Sequence, residues 1–109
     1  LREESIKLSD LFINMVEQTC SDLHLESPIK SSERGSQVSF SHPSGYAIMQ
    51  ALIDRNIVGD FRAPNIIRFG ITPLYINEED IIRTVKVLSD ILSKRLWDNP
   101  AYLNRKKVT

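Results

Sequence analysis

The chain has 109 residues, 41% hydrophobic and 26% charged, the balance of one ordinary globular domain. Lys plus Arg number 14 and Asp plus Glu number 14, so the formal net charge is zero. A general nucleic-acid binder or an electrostatic membrane anchor would need a basic surplus. With one cysteine, Cys20, no intramolecular disulfide can form, which suits a reducing, cytoplasmic compartment. No apolar run approaches the ~20 residues of a membrane helix, and the start carries no signal-peptide pattern. The chain begins at Leu1 inside a helical pattern, which reads as a piece of a longer protein.

Leu8, Leu11, Phe12, Met15, Val16, Cys20 and Leu23 recur at helical spacing and predict an amphipathic helix over residues 3–24. Ser27-Pro28 breaks it, and the polar stretch 29–36, with Gly35, reads as an extended arm or loop. Gln37-Val38-Ser39-Phe40 alternates like a half-buried strand. His42-Pro43 then leads into a short helix from Tyr46 to about Arg55, with Asn56 as its stop. Ile57 to Arg62 and Ile66 to Ile71 read as strands that pair as a hairpin around Ala63-Pro64-Asn65. Pro73 ends the second strand, because it cannot donate to a ladder. Asn77 is a good helix cap, and Glu78, Glu79 and Asp80 suit the positive end of the dipole. The apolar stripe Ile81, Ile82, Val85, Leu88, Ile91, Leu92 and Leu96 carries that helix to about Trp97. Asp98-Asn99-Pro100 stops it, leaving residues 98–109 as a loose tail behind a domain of residues 1–97. A sheet and helices that bury apolar faces against each other make a two-layer α/β sandwich with a small, mainly antiparallel sheet.

The chemistry is sparse. There is no phosphate-binding glycine loop and no Cys/His cluster for a metal. His24 and His42 have no evident partner, and His42 reads as a residue opening a helix. Cys20 falls on an apolar helix face, where a buried inert thiol is expected. Tyr46 and Tyr75 read as packing residues with a polar tip. No residue reads as catalytic. Arg68 stands apart, because strand alternation puts Ile67, Phe69 and Ile71 on one face and Arg68 on the other, between Ile66 and Gly70. Its planar fork suits a carboxylate, and Gly70 leaves room for something to approach the backbone. The more ordinary reading of such an arginine is a surface ion pair with Asp60 or a glutamate, and the pattern alone favours it.

The segment Gly59-Asp60-Phe61-Arg62-Ala63-Pro64-Asn65-Ile66-Ile67-Arg68-Phe69-Gly70-Ile71-Thr72-Pro73-Leu74-Tyr75 closely resembles the kynureninase family. Arg34-Gly35-Ser36-Gln37-Val38-Ser39, His42-Pro43, Tyr46-Ala47 and Gln50-Ala51-Leu52-Ile53 look like the same family in register, so the likeness covers most of residues 34–92. The resemblance implies the small domain of a homodimeric pyridoxal-phosphate enzyme of the aspartate-aminotransferase fold group. Such enzymes hydrolyse the side-chain β,γ carbon–carbon bond of kynurenine or 3-hydroxykynurenine to alanine and an anthranilate, in tryptophan catabolism toward NAD. It also implies that Arg68 binds the substrate α-carboxylate. The cofactor lysine would lie in a large domain outside this chain, which alone is expected to be inactive. The competing expectations are a free-standing α/β ligand-binding or regulatory module, or the small domain of a related aminotransferase or desulfurase.

Overall fold

The computed structural model describes residues 2–27, 37–71 and 76–103. Helix α1 (Arg2–Thr19) buries Leu8, Phe12 and Val16, three residues spaced four apart on one face. It ends five residues earlier than the periodicity predicts. The chain turns at Cys20, whose N–H still reaches the Val16 carbonyl at 2.7 Å, and Cys20 and Leu23 stay in the core from a turn instead of a helix. The residues after the turn form a short edge strand, β1 (His24–Leu25), which pairs with β2 (Gln37–Ser41). Helical spacing held by a helix and its following turn looks continuous in sequence, so the pattern alone overran the boundary.

Helix α2 (Gly45–Asp54) closes with Asn56 at φ 66°. The Ile57 N–H bonds the Leu52 carbonyl and the Asn56 N–H bonds the Ile53 carbonyl, each at 3.0 Å. That double closure is a Schellman cap, with asparagine in the left-handed position it tolerates better than most residues. The cap takes up Ile57, so the following strand is shorter than predicted: β3 covers Asp60–Arg62 and β4 covers Ile66–Gly70. Helix α3 (Glu78–Ser93) opens with the predicted cap. The Asn77 side chain accepts from the Asp80 N–H and the Asp80 carboxylate accepts from the Asn77 N–H, both at 3.0 Å. It stops before Trp97 through a second Schellman closure. Leu96 bonds back to the Ile91 carbonyl at 2.9 Å and Arg95 takes φ 51°, without the glycine that would have marked the stop. Part of the expected tail has regular structure. Pro100–Leu103 form the one-turn helix α4, and the Tyr102 hydroxyl donates to Asp54 at 2.6 Å, tying the turn to the end of α2.

The strands form one antiparallel sheet in the order β1-β2-β4-β3. Val38, Phe40, Ile67 and Phe69 alternate inward and are buried. Phe12 meets Phe40 and Phe69 edge-on, with ring centroids 5.8 and 5.0 Å apart. Helices α1 and α2 pack on that face, and α3 packs against both. The result is the predicted two-layer α/β architecture, with helices on one side of the sheet. Gly45 and Gly59 mark two close approaches. A Cβ at Gly45 would stand 2.8 Å from the Asn65 carbonyl oxygen, and one at Gly59 2.7 Å from the Arg68 carbonyl oxygen.

Candidate carboxylate-binding site on the open sheet face

The strand residues that point away from the helices are Gln37, Ser39, Ser41, Asp60, Arg62, Ile66, Arg68 and Gly70. Arg68 sits in the middle, with Ser39 opposite it on β2 and Asp60 opposite it on β3. Its side chain is 22% exposed and that of Asp60 is 54% exposed. Arg68 Nε donates to Asp60 Oδ1 at 2.7 Å, and one Nη donates to Oδ2 at 2.5 Å. These parallel bonds hold the Asp60 carboxyl below its ordinary range, with the charges of Arg68 and Arg62 assisting. The guanidinium pKa is pushed up by the same contact, so Arg68 stays charged. Asp60 occupies the side edge of the fork, formed by Nε and one Nη. The end edge, between the two Nη atoms, faces away from Asp60, and its second pair of donors makes no hydrogen bond to the other described residues.

Of the two readings that the sequence left open for Arg68, the ion pair with Asp60 is the one the structure contains. Asp60 is the partner that the sequence offered for Arg68, beside a glutamate as the alternative. Its position was recoverable, because a hairpin centred on Pro64 puts residue 60 opposite residue 68. Gly70, two residues along the same face, has nothing within 4 Å of where a Cβ would stand.

The other residues considered for chemistry lie apart. Cys20 is 2% exposed, and burial pushes its thiol pKa up, the opposite of an activated nucleophile. The His42 ring accepts the Ser44 N–H on Nδ1 at 2.9 Å and meets Trp97 edge-on, so it shapes the start of α2. Tyr46 packs edge-on against Phe61, centroids 5.4 Å apart. Tyr75 and the rest of Thr72-Pro73-Leu74-Tyr75 lie outside the described residues, as do residues 28–36. Among the described residues no group of His, Cys, Asp and Glu could hold a metal ion, and no helix is long and apolar enough to cross a membrane. A cleft of about 170 Å³ between α1, α3 and the end of β4 is lined by Phe12, Ile57, Val58 and Ile81. That is below the ~300 Å³ at which small-molecule pockets begin.

The domain carries its helices on one sheet face and the Arg68–Asp60 pair on the other. The comparisons with known proteins say which kind of domain it is. Residues 1–88 match the family model described as the kynureninase C-terminal domain, and the chain belongs to that family. It is 47% identical over 111 aligned residues to the kynureninase of Pseudomonas fluorescens, and 45% identical to those of Burkholderia mallei strain SAVP1 and Burkholderia pseudomallei strain K96243. In each case all of this chain is covered but only 27% of the relative, so it spans about a quarter of their length.

Proposed function

We propose that this domain forms the substrate-carboxylate wall of a kynureninase, a pyridoxal-phosphate hydrolase that releases alanine and an anthranilate from kynurenine or 3-hydroxykynurenine. Arg68 carries the proposal. It is the cation at the centre of the open face, its charge does not titrate in the working range, and its end edge fits both oxygens of an α-carboxylate. Its role is to bind and orient, fixing the amino acid so that the scissile bond is aligned. The rest of the site belongs to a large domain, and a homodimer working in the cytoplasm fits the family to which the chain belongs.

The described residues do not fit the cofactor. Lys7 and Lys86 are exposed on helices and Lys94 in the turn that closes α3, on the side of the sheet away from Arg68. A lysine that bonds covalently to a carbonyl cofactor needs a desolvated setting that lowers its pKa. No step through the cofactor is therefore assigned to these residues.

The test is steady-state kinetics on the full-length enzyme carrying this domain, with cofactor content measured in parallel. Arg68→Ala lowers kcat/KM by about a hundredfold or more, while cofactor content stays at the wild-type level. Arg68→Lys recovers part of the loss, because an ammonium keeps the charge without the planar fork. Near-wild-type kcat/KM in Arg68→Ala overturns the assignment.

A further inference from the structure

We infer that Asp60 is the positioning residue for Arg68: it holds the guanidinium by its side edge so that the end edge is the one presented to the substrate carboxylate. The inference rests on the proposed role of Arg68 and adds a second residue to that site. Asp60 and Arg68 are direct cross-strand partners, so the clamp is mounted on two hydrogen-bonded strands. The bonds are bidentate, at 2.7 and 2.5 Å, and fix the plane of the guanidinium as well as its position. The residue on the other side of the row is Ser39, whose neutral hydroxyl cannot form a second ion pair with the guanidinium. Gly70 leaves the neighbouring position along β4 empty.

Two effects compete. The Asp60 charge repels an incoming carboxylate, which would make its removal favourable for binding. Against this, an unheld arginine must give up its rotamer freedom each time substrate binds. The repulsion is the weaker effect, for two reasons. The two carboxylates would sit at different edges of the same cation, and Asp60 is more than half exposed, where water and salt screen it. In addition, Arg62 shares the face and acts on Asp60 electrostatically, so the group of two arginines and one aspartate keeps a net positive charge. Pre-orientation therefore wins, and Asp60 strengthens substrate binding although it carries the same charge as the group bound.

The experiment is a double-mutant cycle on the full-length enzyme with Asp60→Ala, Arg68→Ala and the pair, plus Asp60→Asn. Asp60→Ala raises KM about tenfold with kcat within about twofold, the mark of lost binding that ground state and transition state share. Asp60→Asn raises it less, because the amide oxygen still accepts from Nε. The double variant is no worse than Arg68→Ala alone, since Asp60 acts only through Arg68. A purely structural Asp60 would instead lower stability or holoenzyme content and leave KM alone. If Asp60→Ala fails to fold, Asp60→Asn carries the KM test. An unchanged or lowered KM in the Asp60 variants, with Arg68→Ala still severely impaired, overturns the positioning role and leaves the carboxylate assignment standing. Additive losses in the double variant also overturn it. An unimpaired Arg68→Ala removes the carboxylate assignment, and the role of Asp60 with it.

Discussion

The two faces of one four-stranded sheet are built by different rules. On the covered face Val38, Phe40, Ile67 and Phe69 meet α1 and α2, and each is 3% exposed or less. On the open face the same strands present Ser39, Arg68 and Asp60 in one cross-strand row. The covered face is fixed by packing, where a missing methylene leaves a void. The open face is fixed by a hydrogen-bonded ion pair, where geometry matters more than volume. The comparison teaches where each kind of damage should appear: substitutions on the covered face register in stability, those on the open face in function.

The sharpest challenge is Phe12→Ala. Phe12 is fully buried and bridges the helical layer to Phe40 and Phe69. Its truncation should destabilise the domain by about 3–5 kcal/mol in urea unfolding. A loss below about 1 kcal/mol would mean that the covered face is not the stabilising one. Gly59→Ala comes next. Its Cβ would meet the Arg68 backbone carbonyl at 2.7 Å and the Met49 methyl at 3.0 Å, and the cost should be about 1–3 kcal/mol. Asn77→Ala removes the box that starts α3, worth about 1 kcal/mol by the same measurement. Gly70→Ala is the contrast on the open face. Nothing stands within 4 Å of the added carbon and the φ angle is not positive, so the isolated domain should be unharmed, or stabilised by about 0.5 kcal/mol. A large loss would show that the open face is packed after all.

A smaller effect should appear with pH. Burial lowers the His42 pKa from its ordinary 6.5, against a weaker opposing pull from Asp22. Between the lowered value and 6.5 the unfolded chain binds more protons than the folded one, so stability there rises with pH. The contribution is complete above about pH 6.5, declines as the pH falls below it, and levels off below the folded pKa. Urea unfolding of wild type and His42→Gln between pH 8 and 5 should differ in slope over that window. Parallel curves would place the ring in solvent.

Strand alternation and helical spacing in the sequence determined most of the core, because burying an apolar face constrains which residues recur. Val38 and Phe40, Ile67 and Phe69, and the stripe of α3 are legible for that reason. So were the Asn77 cap, whose side chain accepts a backbone N–H, the Asn56 stop, whose residue type tolerates the left-handed backbone, and the face on which Arg68 stands. What the tertiary structure decided was where the periodic patterns end and what the polar groups meet. Cys20 and Leu23 keep their place in the core after α1 has stopped, because a turn can supply the same buried positions as a helix. Arg95 closes α3 in a left-handed conformation that no glycine announces, and Tyr102 fastens α4 to Asp54 across 48 residues of chain. The partner of Arg68 depended on which residue the hairpin register set across from it. A sequence names a charge; only the register puts Asp60 on one edge of that guanidinium.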